Sequence, residues 1–91
     1  MTAAADWLGL REIDAAAGTS KGAAFRAFKA LQAQFTEGRD YVVLHAERDR
    51  ATIEQLRASG RIYRGSINVI LLSPAAARRI GCALHIDAPV R

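Results

Sequence analysis

Lys21, Arg26 and Lys29 lie within residues 19–36, TSKGAAFRAFKALQAQFT, and no acidic residue accompanies them. They include both lysines of the 91-residue chain. Unopposed cations on one short segment suit a phosphate-bearing polyanion, because each cation placed on a phosphate releases condensed counterions. An arginine adds a planar fork of donors that matches guanine O6 and N7. A second block, Arg61, Arg64, Arg78 and Arg79, also runs without an acid between residues 61 and 79. Residues 1–18 and 37–60 are mildly acidic, so the net charge of +4 comes from those two blocks. Clustered charge of this kind is the footprint of a polyanion binder, against the plain alternative of a solvated basic face.

Such cations need elements that point them one way. Leu10, Ile13 and Ala17 recur at helical spacing while Arg11, Glu12 and Asp14 fall on the other side, so Leu10 to Ala17 reads as a helix. Gly18 ends it. Thr19 or Ser20 then caps a second helix from about Lys21 to Gln34 by accepting an orphan backbone N–H. Phe25, Phe28, Leu31 and Phe35 form its buried stripe. Gly22, Ala23, Arg26, Ala30 and Ala33 point the opposite way, with Lys29 at the edge of that face.

After a turn at Glu37–Asp40, Tyr41 to His45 reads as a strand. Residues 48–59 read as a short surface helix with Ile53 and Leu56 inside. Arg61 to Leu72, RIYRGSINVILL, is the strongest strand signal, with Gly65 and Ser66 as a bulge or kink. Ile67, Val69 and Leu71 fall on one face of that strand, and Ile62, Ile70 and Leu72 on the other. With both faces apolar, either the 48–59 helix or a second protomer must cover one of them. Ser73 and Pro74 start a last helix that runs to Ile80 and is ended by Gly81. One domain is expected over residues 7–80, with 81–91 a C-terminal strand or tail. A chain this small has little stability in reserve, and much of its apolar content is alanine, which buries little area.

The order helix, helix, strand, helix, strand, helix gives an α+β class. Two helices joined by a tight turn and followed by strands outline a winged helix-turn-helix with a helix inserted in the wing. Trp7-Leu8-Gly9-Leu10-Arg11-Glu12-Ile13, followed by Ala16-Ala17-Gly18-Thr19-Ser20-Lys21-Gly22, resembles the start of the winged helix-turn-helix of phage Mu-type transposases and repressors. It is also similar to the excisionase and MerR-like class. Val69-Ile70-Leu71-Leu72-Ser73-Pro74-Ala75 resembles the strand that returns from the wing into a helix. The likeness covers about residues 7–35 and 66–77, and the segment 45–60 departs from it. It implies a DNA-binding protein of a phage or mobile element.

The expected DNA-binding residues are Thr19, Ser20, Lys21, Gly22, Ala23, Arg26 and Lys29, with Arg61 and Arg64 on the wing. Gly22 and Ala23 let the backbone approach the duplex, and Ala23 can touch a thymine methyl. Arg26 suits a guanine edge. Ser20 and the first backbone amides suit a phosphate. Lys21 and Lys29 suit phosphates. Arg61 and Arg64 are expected to grip backbone or minor groove. Arg78 and Arg79 are read as structural, near the end of a helix.

The expected partner is double-stranded DNA, with a homodimer left open and no small-molecule substrate. A different class of reading is a protein-interaction module, such as a phage-encoded inhibitor of a host protein. Its surface would be the apolar strand and the 48–59 helix. A transposase or recombinase DNA-binding domain is a third reading. No catalytic residues, cofactor or metal are expected. His45 and His85 lack a ligand cluster, Cys82 lacks a base, no phosphate-binding glycine loop is present, and Tyr63 reads as a core aromatic. One cysteine forms no internal disulfide, no apolar run spans a membrane and the N-terminus has no basic leader, so a cytoplasmic location is expected.

Overall fold

The computed structural model describes residues 6–87. Along the chain run β1 (Leu8–Gly9), α1 (Leu10–Ala17), α2 (Ala23–Leu31), β2 (Tyr41–Leu44), α3 (Arg50–Ala58), β3 (Val69–Leu72) and α4 (Pro74–Asp87). One 3-10 turn, Gln32–Gln34, extends α2. The result is a small α+β fold. Its sheet is antiparallel in the order β1-β3-β2, and Leu72 pairs with Leu8 on one side and Tyr41 on the other.

Alternation along the strands builds two layers. Tyr41, Val43, Ile70 and Leu72 face one way, into a cluster with Ile13, Ala24, Phe28, Ile80 and Leu84 from α1, α2 and α4. Val42, Leu44, Val69 and Leu71 face the other way, against Ile53 and Leu56 of α3 and against Ile62. The apolar strand is therefore covered on both faces by the chain itself, and α3 supplies the second cover. Ile62 belongs to the α3 layer, not with Ile70 and Leu72 as the alternation of a continuous strand implied. The first cluster is pinned by an edge-on contact of Phe28 with Tyr41, ring centroids 5.0 Å apart.

α1 has the expected limits. Gly18 closes it in the left-handed region, φ 71°, where a glycine carries no Cβ penalty. The Thr19 N–H then returns to the Asp14 carbonyl at 2.9 Å. Ser73 opens α4 as expected, its hydroxyl accepting the Ala76 N–H at 3.2 Å. Gly81 does not end α4. The helix continues to Asp87, because Leu84, one turn further on, is buried in the first cluster. The strand-or-tail reading of 81–91 is thus corrected up to Asp87, and residues 88–91 lie outside the described residues.

The expected strand from Arg61 is shortened to Val69–Leu72. Residues 60–68 make their hydrogen bonds elsewhere. Gly60 O accepts from Arg11 at 2.6 Å. Arg61 reaches Glu12 and the Trp7 carbonyl. Tyr63 O accepts the Ser66 N–H at 3.1 Å, closing a turn. Tertiary bonds to α1 have overridden a strong local β preference. No helix among the described residues is long and apolar enough to cross a membrane.

Candidate nucleic-acid interface

The first turn of α2 has no capping side chain of its own. Its N-cap is Gly22, at φ 95°, a conformation that any residue with a Cβ adopts only under strain. The orphan amides are satisfied from α1. Asp14 Oδ1 accepts the Ala24 N–H at 2.8 Å, and Asp14 Oδ2 accepts the Gly22 N–H at 3.3 Å. The Thr19 hydroxyl donates to Asp14 Oδ1 at 2.9 Å, and the Tyr63 hydroxyl donates to Oδ2. Asp14 is only 2% exposed. It was expected on the outer face of α1. Instead it joins α1, the α1–α2 turn and the 60–68 loop at one carboxylate.

This corrects two expectations. Neither Thr19 nor Ser20 caps α2; Thr19 is turned to Asp14, while Ser20 is exposed and contributes its carbonyl to the Ala23 N–H at 3.1 Å. The Gly22 and Ala24 amides are not open to a phosphate, because the Asp14 carboxylate already occupies them, and the Ala23 amide is held by the Ser20 carbonyl.

The outward face of α2 differs in part from the expected one. Ala24 and Phe28 face the core, and Ala23 is half-buried against it, so Ala23 is not the side chain that meets a base. Phe25 was expected in the buried stripe but is 44% exposed. It stands about 60° around the helix from Phe28, on the flank of α2 beside the 60–68 loop. Arg26 and Lys29 are exposed beside it, as expected. Arg26 folds back over Gly22, and a Cβ there would lie 3.3 Å from Arg26 Nη1. Lys21 is exposed, with its Nζ 5.2 Å from the centroid of the Tyr63 ring.

Beside α2 lies the 60–68 loop. Arg57 of α3 holds its tip by donating to the Arg64 carbonyl at 3.2 Å and the Ser66 carbonyl at 2.6 Å. Glu54 pairs with the same guanidinium at 2.8 Å. The Arg64 side chain is exposed, and so is Ile67, at 70%. Between loop and helix is a recess of about 280 Å³ lined by Lys21, Gly22, Phe25, Tyr63, Ser66 and Asn68 among others. Burial, with the bond to Asp14 and its charge, pushes the Tyr63 hydroxyl up to about 12.

Arg61 does not join this face. It pairs with Glu12 at 3.1 Å and is largely covered. Arg79 stacks over Phe35, 5.3 Å from its centroid, and donates to Gln34, a structural position as read from the sequence. Its place is mid-helix, however, not the last turn. The ion pairs among the described residues join Arg39 to Asp40, Arg48 to Asp49, Arg57 to Glu54 and Arg61 to Glu12. None takes Lys21, Arg26, Lys29 or Arg64. Asp40, Asp49 and Glu54 of the middle segment are engaged close to home, with Arg39, Arg48 and Arg57.

Sequence reasoning missed Asp14, Tyr63, Arg57 and Phe25. A signal for Asp14 was present: a helix that starts after Gly22 needs an acceptor for its orphan amides from somewhere. No protein family, curated protein or solved structure matches this chain.

Proposed function

We propose that this chain binds double-stranded DNA sequence-specifically through a winged helix-turn-helix, as a regulator of the kind used by phages and mobile elements. In this reading α1 and α2 are the helix-turn-helix, and α4 is the third helix behind them. The sheet order β1-β3-β2 and the β2–β3 connection support a wing whose arm contains α3. The observation that carries the reading is the exposed face of α2. Arg26 and Lys29 stand there, and Lys21 in the turn just before it, with no ion-pair partner among the described residues, and Arg64 stands on the adjoining loop.

The roles follow from geometry. α2 enters the major groove, and Arg26 donates to guanine O6 and N7, worth about 1–3 kcal/mol of discrimination. Gly22 leaves the space that Arg26 occupies. Lys21 and Lys29 take phosphates on either side. Arg64 grips the backbone or minor groove from the loop tip, which Arg57 and Tyr63 hold in place. Arg61 is assigned to the fold. The interaction-module reading relied on the apolar strand and α3, and these cover each other.

The test is fluorescence anisotropy with a random-sequence duplex at low salt, followed by selection from a random library. Binding that weakens steeply with salt, and a defined selected site, support the reading. No duplex binding at low salt refutes it.

A further inference from the structure

We propose that Phe25 reads a thymine through its 5-methyl group in the major groove. The inference rests on the DNA-binding reading and adds a specificity-determining residue to it. In the first turn of α2, Ala23 and Ala24 are turned to the core, and Phe25 and Arg26 are turned out. Phe25 and Ile67 are the exposed large hydrophobic side chains of the described residues. A lone exposed apolar group is ordinary on a protein surface. One side of the Phe25 ring lines a recess with Leu10, Ile62, Val69 and Ile70, and the other is exposed, flanked by Arg26 in sequence and by Lys29 one helical turn on.

The ring stands beside the 60–68 loop. It borders the recess shared with Lys21, Gly22, Tyr63 and Asn68. The opposite side faces solvent. In the major groove the one apolar feature of the base edges is the thymine methyl, and a phenyl ring is a suitable partner for it. Arg26, the next residue, faces the same groove with a donor fork. The pair would read a guanine and a neighbouring thymine together, the arginine by hydrogen bonds and the phenylalanine by excluding water from a methyl.

The experiment uses the full chain and a duplex selected from a random library, with each thymine replaced singly by deoxyuridine. That swap removes one methyl and leaves every hydrogen-bonding group in place. The wild type is expected to lose about fourfold in affinity at one thymine position, the value of one buried methyl-sized group. Phe25→Ala is expected to bind the thymine duplex about fourfold more weakly and to be indifferent to the swap. Phe25→Leu should retain part of the discrimination. Phe25 is exposed, so these variants are expected to melt as the wild type does. Equal wild-type affinity for all thymine and deoxyuridine duplexes overturns the assignment and leaves DNA binding standing. Undiminished methyl dependence in Phe25→Ala overturns it as well. Absence of duplex binding overturns both.

Discussion

Residues 19–36 and 61–79 are alike as strings: each carries arginines or lysines and no acid. Folding treats them differently. Lys21 in the turn before α2, and Arg26 and Lys29 on it, remain in solvent. In the later block, Arg61 is half-buried and tied to Glu12, Arg79 is exposed but engaged with Phe35 and Gln34, and Arg64 and Arg78 are exposed with no ion-pair partner among the described residues. The difference lies in what the fold brings within reach. The 60–68 loop runs along α1, which offers the Glu12 carboxylate and the Trp7 carbonyl beside it. Arg26 and Lys29, on the outward face of α2, meet no acid in an ion pair among the described residues. A cationic block in a sequence is therefore a candidate surface, and its tertiary acceptors decide whether it becomes one.

The largest effect that can break this comparison is expected at Asp14, where the two regions meet. Asp14→Ala strips acceptors from Thr19, Gly22, Ala24 and Tyr63 at once. It should cost about 2–4 kcal/mol, a drop in Tm of at least about 10 °C by calorimetry. An unchanged Tm would mean that the joint between α1, α2 and the loop is not where the structure has it.

Next comes a crossed pair. Arg61→Ala should cost about 1–2 kcal/mol of stability and leave the salt dependence of DNA binding as it was. Arg26→Ala should shift stability by less than about 0.5 kcal/mol yet cost about 10- to 100-fold in affinity for the selected site. The same two proteins, measured by thermal melting and by anisotropy, give both columns. If Arg61 governs affinity and Arg26 governs stability, the assignment of the two blocks is inverted.

A smaller effect sharpens the loop side. The Tyr63 hydroxyl, pushed up to about 12 from an ordinary 10.0, favours the folded state while it is protonated. Its contribution is therefore complete below about pH 10 and is lost as pH rises through about 12. Melting curves across that range should fall more steeply for the wild type than for Tyr63→Phe. Parallel curves would detach Tyr63 from Asp14.

Much of this architecture was legible in the residues. The limits of α1, its glycine stop, the strand Tyr41–Leu44, the helix over 50–58 and the Ser73-Pro74 start all follow from local periodicity and capping chemistry. Asp14 was not legible as a joint, because a single-helix pattern sees a polar residue and assigns it to solvent. Phe25 misled for a related reason. Four apolar residues at 25, 28, 31 and 35 make a convincing stripe, but Ala24 takes the core position in the first turn of α2 and leaves Phe25 on the flank of the helix. Residues 61–68 look like strand by composition, and only their bonds to α1 and α3 show otherwise. What the pattern lacked in each case was the neighbouring element.

The claim on which the account stands is that the exposed side of α2 meets DNA phosphates and bases. Its most direct test is the slope of log affinity against log salt for the wild type and for the triple variant Lys21→Ala, Arg26→Ala, Lys29→Ala. With Lys21, Lys29 and Arg64 on phosphates, the wild-type slope should lie near −3, and the variant should retain about −1, owed to Arg64. Two proteins with the same slope would contradict the account.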